Sequence, residues 1–231
     1  MGETQALRAG LAHLLNALVA VALAPHCDAC GDPLERPLSG CICDRCLTVA
    51  TSATARHLPS TEVITAMMAA GPHEGPLRET IHAFKYRQRR SLARPLGALL
   101  RRECASVLDG AAYVVPVPVH PWRRLRRGFN QAADLARETG VPVVNALRRR
   151  RGWTSQTRHH ADARRANVSA AFVAGRQAHA VTGRVVVLVD DVTTTGATLD
   201  ACARVLAGAA RIVRSGGGTS WGSVHRRALG E

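Results

Sequence analysis

Lysine is almost absent from this chain. Lys85 is the only one among 231 residues, so the formal charge of +14 and the pI near 11.1 come almost wholly from arginine. Arginine suits bidentate contact with phosphate, but a coding preference for arginine and alanine would raise its count with no ligand. Net charge therefore argues only weakly for a nucleic-acid partner. Aromatic residues are scarce at 3%, which leaves little for a base-stacking platform, so single-strand binding would be mainly to the backbone and strongly salt-dependent. No Gly-x4-Gly-Lys-Ser/Thr loop is present, because Lys85 sits in Phe84-Lys85-Tyr86 without a glycine loop before it. That excludes a P-loop nucleotide hydrolase. Long apolar runs are lacking too. The Leu14–Ala24 run has the length of a signal-peptide core, but Glu3 and Arg8 precede it, no convincing small-x-small site follows, and it is too short to cross a bilayer. Leu7, Leu11, Leu14, Leu18 and Val21 instead read as one face of an amphipathic helix over residues 1–24. The chain is expected to be cytoplasmic, with no membrane span.

The chain has enough apolar residues, 46%, to bury a core of one ordinary domain with a small appendage. Five of its seven cysteines fall between residues 27 and 46. Cys27-x2-Cys30 and Cys43-x2-Cys46 are paired knuckles, each supplying two thiolates on a tight turn, with a Gly- and Pro-rich spacer between. This is the pattern of a tetrahedral structural zinc site; disulfides are disfavoured in a reducing compartment. The quartet is Cys27, Cys30, Cys43 and Cys46, or the same set with Cys41 in place of Cys43. Four thiolates leave no open position, so the metal would hold the fold and do no chemistry. Cys104 and Cys202 lie in apolar helical patterns and read as buried bystanders.

Most of the information lies between Val185 and Thr198. Val185–Val189 is apolar without alternation, as in a strand buried on both faces of a parallel sheet. Leu199, Cys202, Ala203 and Leu206 then recur at helical spacing, so Asp190 to Thr198 lies on a strand-to-helix turn. Thr193-Thr194-Thr195-Gly196 offers hydroxyls and unobstructed backbone N–H groups ahead of a helix N-terminus, which suits a dianionic phosphate. Asp190 and Asp191 would repel that phosphate, so they should meet sugar hydroxyls or a bound magnesium. A ribose 5-phosphate satisfies both halves.

Upstream, Leu77, Ile81 and Phe84 share one helical face ending at Lys85, and Leu92, Leu96, Leu99 and Leu100 mark a second helix. Lys85, with Arg87, Arg89 and Arg90, would neutralise a phosphate or form a solvated basic patch. Tyr113 to Pro121 reads as a strand whose end is distorted by prolines. It is followed by Arg123, Arg124, Arg126 and Arg127, which can bind pyrophosphate or a nucleic-acid backbone. Val141–Ala146 is the next expected strand, and the polar segment 148–167 reads as a mobile lid or a disordered basic linker.

The Asp-Asp-Val-Thr-Thr-Thr-Gly loop resembles the phosphoribosyl-diphosphate (PRPP) motif of type I phosphoribosyltransferases. The resemblance implies that Asp190 and Asp191 hold the ribose 2- and 3-hydroxyls while Thr193, Thr194, Thr195, Gly196, Ala197 and Thr198 wrap the 5-phosphate. Phe84-Lys85-Tyr86, the Val115–Pro121 turn, Arg127-Gly128-Phe129-Asn130-Gln131-Ala132, Gln156 and Arg164–Val168 with Phe172, in this order behind the cysteine knuckles, are similar to the ComF family. That likeness covers residues 11–210 and implies that Val117, Pro118, Val119 and His120 lie on the diphosphate side of the ligand, with magnesium held mainly by the diphosphate.

The expected fold is α/β: a parallel-sheet type I phosphoribosyltransferase-like domain over residues 59–214, with helices on both faces, preceded by a four-cysteine zinc knuckle over 25–58. Past Gly208 the chain departs from the family pattern. Residues 215–231, with Gly216-Gly217-Gly218 and then Trp221, do not read as a sheet strand and are expected to form a disordered tail. The resemblance implies a phosphoribosyltransferase that takes part in natural transformation, with single-stranded DNA and other competence proteins as partners. A salvage transferase unrelated to DNA uptake and a non-catalytic nucleic-acid-binding scaffold are the alternatives.

Overall fold

The computed structural model describes residues 2–61, 63–150, 171–209 and 220–226. The strands are β1 (Arg56–His57), β2 (Ala66–Pro72), β3 (Tyr113–Pro116), β4 (Leu147–Arg149), β5 (Phe172–Ala174), β6 (Val186–Thr193) and β7 (Ser220–Arg226). The helices are α1 (Gly2–Leu23), α2 (Asp44–Ser52), α3 (Gly75–Tyr86), α4 (Ala93–Glu103), α5 (Ala105–Leu108), α6 (Pro121–Arg127), α7 (Gln131–Arg137) and α8 (Ala197–Ala209).

The main sheet has the order β1-β2-β7-β6-β3. β3 and β6 pair in parallel, Val114 against Val187 and Pro116 against Val189. Because β7 is antiparallel to both β2 and β6, β2, β6 and β3 all run one way and β7 runs against them. The expectation of a structureless tail is therefore overturned for residues 220–226. The reason is tertiary: β2 and β6 each present an unpaired edge, and backbone hydrogen bonding fills the slot with a segment of weak strand character. Residues 210–219, including Ile212 and Val213, lie outside the described residues.

The unalternated apolar run of β6 is explained by its two covers. Val187 and Val189 join the cluster built on Leu77, Ile81 and Phe84 of α3, Leu96 and Leu100 of α4 and Leu135 of α7. Val186 and Leu188 join Leu199, Cys202, Ala203 and Leu206 of α8 on the other face. Val114 and Val115 of β3 divide between the clusters in the same way. The segment expected to be a strand at Val141–Ala146 makes only a parallel bridge, Val114 to Val143. The short ribbon of β4 and β5 stands apart, and most of the lid expected over 148–167 lies outside the described residues.

Two features of the fold place the site. Pro76 at the start of α3, where its missing N–H costs nothing, launches a helix whose last turn carries Lys85. Gly128, at φ +78, caps α6 in the left-handed region. The cap turns Phe129 back against Phe84, with ring centroids 5.4 Å apart.

α1 corrects a sequence expectation. Leu7, Leu11, Leu14, Leu18 and Val21 are all exposed, so the stripe packs on nothing among the described residues. The helix is also longer than its Leu14–Ala24 run: within α1, the 20 residues Thr4–Leu23 are long and apolar enough to cross a membrane by length and composition. Span length therefore does not exclude membrane insertion.

Candidate functional site

The carboxyl ends of β3 and β6, the last turn of α3, the start of α7 and β4 meet around a cavity of about 250 Å³. Its wall includes Lys85, Val117, Pro118, Val119, His120, Arg123, Arg127, Asp190, Asp191 and Thr198. The acidic pair, the proline turn, two of the four arginines and the end of the threonine loop thus come together. Arg124 and Arg126 are exposed on α6 and do not line it, and Thr193, Thr194, Thr195, Gly196 and Ala197 are not on its wall. Thr193 is buried, Thr194 and Thr195 are exposed, and Gly196 at φ +71 makes the turn into α8 that a side chain would strain.

Backbone geometry holds the carboxylates in place. The Asp191 N–H donates to Asp190 Oδ1 at 2.9 Å and the Val192 N–H to Asp191 Oδ1 at 2.7 Å. Lys85 Nζ lies 3.0 Å from Asp191 Oδ1. Burial, and then the neighbouring Asp191 charge, push the Asp190 carboxyl up to about 7, against the opposing pull of Lys85 and the Asp191 N–H. On the opposite wall, Val117 N–H pairs with Val189 O at 2.9 Å. His120 caps α6, its Nδ1 accepting from the Trp122 N–H at 3.3 Å.

Sequence reasoning left six residues of the wall without a role, among them Asn130, Gln131 and Arg149. Asn130 donates from Nδ2 to Val117 O at 3.2 Å, and Arg127 donates to Gln131 Oε1 at 3.2 Å. Arg149 packs its guanidinium over Phe172, 5.1 Å from the ring centroid, and burial followed by the nearby Arg123 charge lowers its pKa. Asn130 and Gln131 belong to a stretch already noted as a motif, so the signal was there without a role attached. Arg149 was hidden in a basic run.

The cysteine knuckle also closes. Cys27, Cys30, Cys43 and Cys46 place their sulfurs within 4.8 Å of one another, and Cys30 and Cys43 are 3.7 Å apart. Tetrahedral zinc with Zn–S bonds of about 2.3 Å brings sulfurs to roughly 3.8 Å, so the four fit that ion, and Cys41 is outside the group. Although burial opposes the Cys27 thiolate, backbone donors from Cys30, Cys43 and Ala29 bring it down to about 7. Burial and the neighbouring thiols push Cys46 up; a bound dication would reverse that. At the cavity, Asp190 and Asp191 are the carboxylates available to a magnesium ion.

A strand-loop-helix turn with an acidic pair, set beside a proline turn on a parallel neighbour, defines a phosphoribosyltransferase-type domain. The family model for the phosphoribosyl transferase domain matches residues 125–214. Competence protein F of Haemophilus influenzae is 31% identical over 192 residues, 79% of this chain and 78% of that protein. The DNA utilization protein YhgH of Salmonella typhimurium is 31% identical over 196 residues, covering 78% of this chain and 77% of the relative. Its namesake in Escherichia coli K12 is 30% identical over 190 residues, with the same coverage. The chain belongs to the ComF family of the phosphoribosyltransferase superfamily. No solved structure matches it.

Proposed function

We propose that this protein binds PRPP, or a 5-phosphoribosyl group, with magnesium, and acts in natural transformation in the handling of incoming single-stranded DNA. The observation that carries the reading is the meeting of Asp190, Asp191, the Val117–His120 turn and Thr198 on one cavity wall. In this reading Asp190 and Asp191 accept hydrogen bonds from the ribose 2- and 3-hydroxyls. The 193–198 loop and the amino end of α8 take the 5-phosphate. Val117, Pro118, Val119 and His120 face the diphosphate, and Arg123 and Arg127 neutralise it.

Chemically, this arrangement can transfer a ribosyl group at its anomeric carbon by way of an oxocarbenium-like transition state. The chain contributes position and fixed charge; it supplies no nucleophile. Magnesium bound with the diphosphate would neutralise charge on the leaving group. The relatives' names, which speak of competence and DNA utilization, favour a role in DNA uptake over nucleotide salvage. Zinc in the four-cysteine knuckle would be structural, and four reduced thiolates suit the cytoplasm. The test is calorimetric titration of zinc-loaded protein with PRPP and magnesium beside an Asp190→Asn/Asp191→Asn variant. Binding that disappears in the variant supports the site, and no binding by folded wild type sinks it.

A second reading, a nucleic-acid-binding scaffold without catalysis, has its own observation. α6 presents Arg123, Arg124 and Arg126 with Trp122 exposed at 73% beside the cavity. In a chain this poor in aromatics, an exposed tryptophan among arginines is the natural place for a base to stack on a backbone-bound strand. Single-stranded DNA binding that survives the double Asp→Asn change, with no PRPP binding, would favour it.

A further inference from the structure

α1 carries a pattern that the rest of the fold leaves unused. Leu7, Leu11, Leu14, Leu18 and Val21 follow one another at intervals of four, three, four and three, the a/d spacing of a coiled-coil seam rather than the broader stripe of a core helix. All five are exposed, between 58% and 87%.

The opposite side of the helix is the one the chain itself holds. The Leu38 N–H donates to Asn16 Oδ1 at 3.0 Å, and Asn16, Val19 and Ala20 are the half-buried residues of Thr4–Leu23. At 3.6 residues per turn the seam is centred about 180° from Asn16. The contact that fixes α1 therefore turns its leucines outward. In the same register Gly10 and Ala17 fall at g, beside the seam, and a Cβ on Gly10 would meet nothing within 4 Å. Glycine weakens a helix interior, but next to a leucine seam it lets a second backbone come close.

Charge decides what the seam can meet. Arg8 is the only Lys, Arg, Asp or Glu between Thr4 and Leu23, so the helix lacks the basic face that holds an amphipathic helix on anionic lipid. A span through a bilayer would place Arg8, His13 and Asn16 in hydrocarbon and break the Asn16–Leu38 contact. The chain as a whole carries +14, so two copies repel each other over most of their surface, and α1 is where that repulsion is weakest. Five side chains of about 100 Å² each, taken from both helices, remove roughly 1,000 Å² from water, the size at which a specific interface begins. We infer that α1 is a dimerisation element: its Leu7–Val21 seam packs against the same seam of a second copy of this chain. Asn16 and the cysteine knuckle lie on the outer side of each helix, so the pairing leaves the zinc ligands untouched.

The test is sedimentation equilibrium of the full zinc-loaded chain in detergent-free buffer over a range of concentrations. Wild type should move from the mass of one chain towards twice that mass as concentration rises. Leu14→Glu/Leu18→Glu should stay at the mass of one chain throughout, with zinc content unchanged, whereas His13→Glu, on the outer side, should associate as wild type does. A wild-type chain that stays single overturns the inference, and so does association that survives the double leucine change. A single wild-type chain that co-sediments with phosphatidylcholine–phosphatidylglycerol vesicles, beside a double variant that does not, assigns the seam to lipid and overturns the inference likewise. Should the double variant fail to fold, the wild-type chain still decides. Amide exchange in residues 7–21 should slow as its concentration rises; exchange that ignores concentration overturns the inference.

Discussion

Asp190 is held where a carboxylate prefers its proton, with burial and Asp191 raising it to about 7. A ligand that needs both carboxylates ionised should bind more tightly as pH rises through about 7. Asp190→Asn should flatten that profile while weakening binding throughout, and calorimetry at a series of pH values checks it. The linkage has a second consequence. An acid whose folded pKa lies above its unfolded value makes the native state bind more protons across the window between them. Its contribution to stability is therefore present at low pH and lost as pH climbs through the folded value. Ligand-free Asp190→Asn should melt a few degrees above wild type at pH 8, where the wild-type carboxylate is charged, with the gap closing near pH 5. A variant that loses ligand and gains stability is the signature of a site built at the expense of the fold. These two aspartates were legible in the sequence because a strand buried on both faces ends in charge, which only a ligand or a partner explains. Arg149 was not. Its presence on the wall depends on β4 arriving there, and neither spacing nor composition encodes that.

At the scale of elements, close approach sets the tolerances. α4 and α7 cross where Gly97 meets Glu138, and a Cβ on Gly97 would overlap the Glu138 side chain. Gly97→Val should cost about 1–3 kcal/mol through overpacking, seen as a lower thermal midpoint with the zinc content unchanged. β7 sets a larger penalty. It supplies the pairing for Val189 to Thr193 on one side and Ala66 to Pro72 on the other, so deleting residues 220–226 should leave protein that aggregates on expression, as two open strand edges would. α3, α4 and α8 were readable from apolar spacing, and β6 from its unbroken run. α6 was not, because Pro121 to Arg127 buries no residue and so shows no apolar period; the cues were His120 as a cap and Pro121 at the first turn. β7 escaped for the opposite reason, since its place is dictated by the edges it joins.

For the whole molecule, the question is whether knuckle and domain melt as one. Arg89 pairs with Asp28 at 3.1 Å, and the Ala55 N–H donates to Glu103 Oε2 at 2.9 Å. Cys41 and Ile42 pack on the cluster beneath α3 and α4. Zinc loss should therefore be felt beyond residues 25–58. Stripping the ion with a strong chelator is expected to lower the single melting transition by several degrees and weaken PRPP binding, with readdition of zinc restoring both. Two separate transitions, with PRPP binding untouched, would show that the knuckle is an independent module. The knuckle was the most legible part of the chain, because four thiolates at fixed spacing have few other uses. The position of β7 has a consequence in time. It is the last described element to be synthesised and the third of five strands in the sheet, so while the chain is being translated the sheet exists as two halves with nothing between them. Nascent protein must wait with both edges bare, and the step that seals the centre comes only once Ser220–Arg226 has been made.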